Sequence, residues 1–148
     1  MVAMMIREAL EADLPSILSL YGQPDFDNGV VADLTGAKDF LAIIGRYPDY
    51  RIYVAEIDGG VIGVYSLLIM DKLGHKRTPS AILEDIVVAS SRQRQGIGKA
   101  LVTHAMDMAR SKGCYKLVLS SNARRTDAHR FYDQLGFKRH GVSFHVAL

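Results

Sequence analysis

The stretch "RQRQGIGKAL", Arg92 to Leu101, decides how the chain is read. Two glycines, Gly96 and Gly98, stand among basic and amide side chains, directly before a run with helical period. In that run Ile97, Leu101, Ala105 and Met108 recur on one predicted apolar face, and Gly113 sits where a C-terminal glycine belongs. Glycine lets backbone N–H groups approach an anion with no Cβ between them. A helix beginning near Gly96 aims its unpaired N–H groups and the positive end of its dipole at the same spot. Arg92, Arg94 and Lys99 add charge. Two readings follow: a seat for a phosphate-bearing ligand, or a solvated helix start with cations on its surface.

Magnitudes set the requirement for the first reading. A helix dipole contributes at most ~2 kcal/mol, whereas micromolar binding needs about 8 kcal/mol, so a slot must hold the rest of the ligand. Two common phosphate motifs are excluded. The Walker pattern fails because Ala100 follows Lys99, and the dinucleotide pattern G-x-G-x-x-G fails at Leu101.

Working outward, "AILEDIVV" (81–88) reads as the strand that leads into the loop, and "CYKLVLSS" (114–121) as the strand that follows the helix. A strand–helix–strand crossover makes this pair parallel. Upstream, "MMIREAL" (4–10) is a short strand. Leu14, Ile17, Leu18 and Tyr21 follow at helical spacing, with Asp13 as N-cap and Pro15 tolerated in the first turn. Ala37, Phe40, Leu41 and Ile44 mark a second helix. "RIYVAEI" and "VIGVYSLLI" flank Asp58-Gly59-Gly60, which predicts an antiparallel hairpin. Downstream, Ala128, Phe131, Tyr132 and Leu135 stripe a shorter helix closed by Gly136, and "FKRHGVSFHVAL" (137–148) predicts one or two last strands. The expected fold is a mixed α/β (α+β) sheet of six to seven strands flanked by about four helices, in a single domain spanning residues 1–148.

Hydrophobic residues are 49% and charged residues 23%, as in soluble globular proteins. No apolar run approaches a membrane span and no signal peptide is apparent, so no membrane partner is expected. Cys114 is the single cysteine, which excludes an internal disulfide and a multi-cysteine zinc cluster and fits a cytoplasmic protein. His140 and His145 lack metal-ligand spacing, so no metal is expected. A net charge of +2 argues against a nucleic-acid partner using "RQRQ" and "ARR". His104 borders an apolar helix face as a hydrogen-bonded packing residue, and His129 is expected to face water.

Gln93-Arg94-Gln95-Gly96-Ile97-Gly98 matches the signature [QR]-x-x-G-x-[GA], between a strand ending "EDIVV" and a helix "KALVTHAMDMA". Further on, "AHRFYDQLGF" is similar to an A-x-x-x-Y-x-x-x-G-F segment. On these residues the chain resembles the GCN5-related N-acetyltransferase (GNAT) superfamily. The resemblance covers the element order of the whole chain, with its motifs between about Ala81 and Lys138. "SSNARRTDAHRFYDQLGF" is similar to aminoalkylphosphonate N-acetyltransferases, and "LEDIVV" with "GCYKL" to glucosamine-phosphate N-acetyltransferases; neither stretch covers the acceptor-binding region.

The resemblance implies a sheet splayed between the fourth and fifth strands, with acetyl-coenzyme A in the gap. The pyrophosphate is then expected on backbone N–H groups of Arg94, Gln95, Gly96, Ile97 and Gly98, with Gln93 at the loop entrance and Lys99 beside it. The pantetheine arm is expected to pair with the backbone of Ile86, Val87 and Val88. Arg125 stands where many members carry asparagine, while Asn122 lies three residues earlier. Arg125 could meet a cofactor phosphate or be plain surface, and the asparagine contact does not transfer directly to Asn122. Asn122, Arg125, Phe131 and Tyr132 complete the expected cofactor set.

Acetyl transfer to an amine poses three problems. An amine of pKa near 10.4 must lose a proton, uphill by roughly 4.6 kcal/mol at pH 7. By family analogy Glu84 is the general base through water; alternatively one of Glu84 and Asp85 meets solvent and the other makes a structural hydrogen bond. Strand alternation lets only one of the two reach the substrate. The thioester oxygen needs a donor, by analogy the N–H of Val88. The thiolate needs a proton, by analogy from Tyr132, which at helical spacing with Phe131 and Leu135 is otherwise core.

Family acceptor sites correspond to residues 21–40 and 70–79, where His75, Lys76 and Arg77 greet an anionic acceptor or form a solvated loop. The expected acceptor is the primary amine of a small molecule or an exposed lysine. A catalytically inactive acyl-coenzyme A-binding or sensing module is the alternative. Family members often form homodimers.

Overall fold

The computed structural model describes residues 3–148. The chain divides into two compact units that meet in sequence between Val118 and Leu119.

In the first unit, strands β1 (Met4–Glu8), β2 (Tyr50–Ile57), β3 (Gly60–Met70), β4 (Ser80–Val88) and β5 (Leu117–Val118) form one sheet in sequence order. The first four pair antiparallel, and β4 pairs β5 in parallel. The β2–β3 hairpin turns where predicted: Asp58 (φ 50) and Gly59 (φ 76) both adopt the positive φ that matches strand twist.

Helices α1 (Leu14–Tyr21) and α2 (Leu34–Ile44) cover one face. Their predicted stripes supply Leu14, Ile17, Ala37 and Ile44, which pack with Ile52, Val54, Val64 and Val87. Phe40 lies on the stripe but at its edge, where its ring meets that of Tyr50 at 6.2 Å. Asp13 does not cap α1. A 3-10 turn (Glu11–Asp13) precedes the helix, and the Asp13 carboxylate instead accepts from Arg7 at 2.7 and 2.9 Å and from the N–H of Leu10 at 2.7 Å.

Segment α3 (Gly74–Arg77) is a single turn in which His75 and Lys76 are left-handed. Helix α4 (Ile97–Ser111) lies on the other face, burying Ile97, Leu101, Val102, Ala105 and Ala109. Beneath it Tyr53 stacks on Tyr65 at 5.1 Å, and the Tyr65 hydroxyl meets His104 Nδ1 at 2.7 Å. His104 is therefore the hydrogen-bonded packing residue expected of it.

Gly63 of β3 lies directly under α4. A Cβ there would stand 3.0 Å from Leu101 Cδ1 and 3.3 Å from Ile97 Cγ2. Gly63→Ala is expected to destabilise the fold by roughly 1–3 kcal/mol through overpacking, read as a lower melting temperature. An unchanged melting temperature would mean that α4 does not rest on β3 this closely.

The second unit holds α5 (Thr126–Gln134), closed by Leu135 and Gly136 (φ 89). Here the sheet count is corrected: the described residues form five strands, and 137–148 form none. Val142, Phe144 and Val146 alternate as a strand face would, yet they are exposed. Alternation encodes a face but does not supply the neighbour whose backbone groups a strand must pair with. Likewise "CYKLVLSS" contracts to Leu117–Val118, the two residues that β4 reaches. No helix among the described residues is long and apolar enough to cross a membrane.

Candidate active site

The site begins with an irregularity in β4. Ser66 stands opposite Glu84 and Val64 opposite Val87, so Asp85 and Ile86 together face Tyr65. This is a bulge, and Asp85 takes the left-handed conformation (φ 51) that aspartate tolerates better than most residues. Pairing with β5 covers only Ala81 and Ile82, leaving the β4 edge from Leu83 to Val88 without a β5 partner. The fourth and fifth strands are thus parted on the side where the loop begins, as expected.

The bulge also breaks the alternation that would send Glu84 and Asp85 to opposite faces. Glu84 lies across from Ser66, on the face covered by α1 and α2. The charge of Asp85 acts on Tyr21 and Tyr50, both packed on that same face. Both carboxylates therefore border one corner. Burial, then the charge of Asp85, pushes the Glu84 carboxyl up from its ordinary value. Burial and the charge of Asp27 push Asp85 up as well. Tyr21 and Tyr50 are raised by burial first and by Asp85 second.

Val87 is buried in the core, whereas Ile86 and Val88 are half-buried. At the exit of β4 the Ala89 N–H donates to Ile62 O at 2.8 Å. The Val88 carbonyl, turned the opposite way, accepts from Gln23 Nε2 at 3.1 Å and from Gln93 Nε2 at 3.4 Å. After a 3-10 turn (Ser90–Arg92), Arg94 (φ 62) and Gly96 (φ 82) both turn left-handed. Nothing lies within 4 Å of a Cβ built on Gly96. The glycine therefore serves the backbone conformation at the start of α4, not a close approach of protein atoms.

Among the described residues, no amide from Gln93 through Lys99 donates to a backbone carbonyl; the first helix bond is Ala100 N–H to Gly96 O at 3.0 Å. Gln93, Arg94, Gln95, Gly96 and Lys99 are exposed and Gly98 half-exposed. The Ile97 side chain is buried under α4, which leaves only its N–H to offer a ligand. A row of N–H groups without protein partners at the N-terminus of a fifteen-residue helix has the geometry and dipole direction that suit an anion.

The second unit holds the remaining predicted residues. Asn122 Oδ1 accepts from the Arg124 N–H at 2.9 Å, and its main-chain carbonyl accepts from His129 Nε2 at 2.9 Å. His129 is thus tied to the turn through one ring nitrogen, in an exposed hydrogen bond. Arg125, at the start of α5, is exposed. The Tyr132 ring lies 5.2 Å from Phe131 and 5.7 Å from Phe137. Burial raises the Tyr132 phenol, and the Arg125 charge acts in the opposite direction.

The loop basic cluster lies elsewhere. The His75 ring lies 4.6 Å from that of Tyr115 in a tilted arrangement, at the end of the β3–β4 hairpin where Met70 pairs Ser80, away from the bulge at Asp85. Two contributors were missed in the sequence: the bulge at Asp85 and the clamp made by Gln23. An acidic pair inside an apolar strand was the available cue to the first.

The acetyltransferase (GNAT) family model matches residues 6–137. The chain is 30% identical over 143 residues to glucosamine 6-phosphate N-acetyltransferase of Trypanosoma brucei brucei, covering 94% of this chain and 92% of that protein. It is 35% identical over 116 residues to aminoalkylphosphonate N-acetyltransferase of Salmonella typhimurium, covering 78% and 75%. The crystal structure of glucosamine-6-phosphate N-acetyltransferase from Arabidopsis thaliana superposes with a TM-score of 0.83 at 26% identity, over 98% of both chains. With a splayed mixed sheet, an amide-lined loop at a helix start and a family match across nearly its whole length, the chain belongs to the acetyltransferase (GNAT) family.

Proposed function

We propose that residues 1–148 act as one N-acetyltransferase domain that moves the acetyl group of acetyl-coenzyme A to a primary amine of a small molecule or an exposed lysine. The observation that carries this reading is the unsatisfied amide row from Gln93 to Lys99 beside a strand edge left open at the bulge. These groups fit the donor: N–H groups for its diphosphate, and the β4 edge at Ile86 to Val88 for its amide-bearing arm. That edge has no β5 partner, and the Val88 N–H faces outward beside the carbonyl that Gln23 holds. The donor supplies a thioester carbonyl open to attack by an amine.

The chain's residues divide the remaining work. Glu84 takes the proton of the attacking amine through water, and the Val88 N–H holds the charge that develops on the carbonyl oxygen. Tyr132 returns a proton to the departing thiolate. Asn122 keeps its Nδ2 to donate while its Oδ1 holds the Arg124 N–H, and Arg125 offers charge to a cofactor phosphate. The acceptor is assigned to the corner where Tyr21, Tyr50 and Ser66 meet Glu84 and Asp85, not to the His75–Arg77 turn.

The test is release of free thiol from acetyl-coenzyme A in the presence of a panel of amines, including amino sugars, aminoalkylphosphonates and lysine peptides. Turnover with at least one amine is expected. Tight donor binding with no turnover across the panel would instead make the chain a binding module.

A further inference from the structure

We infer that Gln23 is a positioning residue for the donor seat, fixing the direction in which the anion-binding loop leaves β4. The inference rests on the acetyl-coenzyme A reading above and deepens it. Gln23 lies just past the end of α1, distant in sequence from the motifs of the fold, yet its carboxamide uses both ends on the β4 exit. Nε2 donates to the Val88 carbonyl at 3.1 Å, and Oε1 accepts from the Ser90 N–H at 2.8 Å. Val88 is the last residue of β4 and Ser90 opens the turn that follows.

The peptide between Val88 and Ala89 is thereby held from both sides. Its carbonyl is bound by Gln23, and its N–H is bound by Ile62 O at 2.8 Å. The Arg92 N–H then closes on Ala89 O at 2.8 Å. Beyond Arg92 the unsatisfied amides begin, so the Gln23 clamp and this turn are the last anchors before the row that must present its N–H groups together. A row held in place before the ligand arrives binds it more tightly than one that must be ordered on arrival.

Gln23 is itself well seated. Its main-chain carbonyl accepts from the N–H groups of Phe26 and Asn28, both at 3.0 Å, and Gly29 N–H donates to Gly22 O at 2.9 Å. The clamp therefore grows from a closed turn, not a loose loop. Only a carboxamide of this length both donates and accepts here. Methionine matches its length without either bond, and asparagine is one methylene too short to span the two partners. Gln93 Nε2, at 3.4 Å from the same carbonyl, is too distant to replace it.

The experiment measures acetyl-coenzyme A affinity by calorimetry, and kcat and donor KM with an accepted amine, for wild type, Gln23→Met and Gln23→Asn. Both variants are expected to raise donor Kd and KM roughly five- to tenfold, the equivalent of about one net hydrogen bond. The kcat at saturating donor should stay within about twofold, because the chemical groups are untouched. If Gln23→Met does not fold, Gln23→Asn alone decides. A merely structural role would lower the melting temperature while leaving donor KM where it was, and that result overturns the inference. Loss of kcat with unchanged donor KM overturns it equally. Wild-type protein that fails to bind acetyl-coenzyme A sinks this inference and the activity together, whereas normal wild-type binding with unshifted variants sinks the role of Gln23 alone.

Discussion

Glu84→Gln is expected to lower kcat/KM roughly a hundredfold, the lower end of what a positioned general base contributes. The substitution keeps the shape of the side chain while removing its charge and its ability to accept a proton. It should also flatten the acid limb of the pH–rate profile. The sign follows from the environment. A base works in its deprotonated form, and burial together with the charge of Asp85 raises the Glu84 carboxyl above its ordinary value. Activity therefore climbs as pH rises through that raised value, not through the usual glutamate range. Removing the second cause with Asp85→Asn should slide the limb to lower pH without abolishing it. Unchanged kcat/KM in Glu84→Gln would transfer the proton to another group, with Asp85 next in line.

Tyr132→Phe is expected to lower kcat by roughly 10- to 100-fold while donor Kd moves by less than about twofold. The ring, which meets Phe131 and Phe137, is kept, so packing is preserved. Only the hydroxyl is lost. Burial raises its pKa and keeps it protonated at neutral pH, ready to donate. Even for an ordinary phenol near 10, transfer to a thiolate near 8.5 runs uphill by roughly 2 kcal/mol. A thiolate is already a fair leaving group, so this loss should be smaller than that of Glu84. A kcat equal to wild type would return Tyr132 to a packing role.

Much of the molecule was legible because its local signals agree with its tertiary environment. The stripes of α1, α2 and α4, the Asp58-Gly59 turn and the parallel crossover each rest on periodicity or on a residue able to adopt positive φ. What escaped depends on partners far along the chain. "LEDIVV" reads as an unbroken strand, and nothing local says that Asp85 turns left-handed or that pairing with β5 stops at Ile82. Gln23 looks like an ordinary turn residue until its carboxamide is seen to reach β4. Asp13 has the right type and position for an N-cap, but Arg7 offers its carboxylate a charged partner and wins it. The tail from Val142 to Val146 shows the converse, a strand pattern left without a ladder. The amide row is legible as a helix start, and its first glycine adopts the positive φ that the turn into α4 takes.

The most direct test is a titration of isotope-labelled protein with acetyl-coenzyme A, followed by the backbone amide resonances. The largest shifts are expected on the N–H groups of Gln93 through Lys99 and of Val88, saturating together with a single affinity. Saturating donor that leaves this row unmoved while other amides shift would contradict the account, because the ligand would then be held without the main-chain seat.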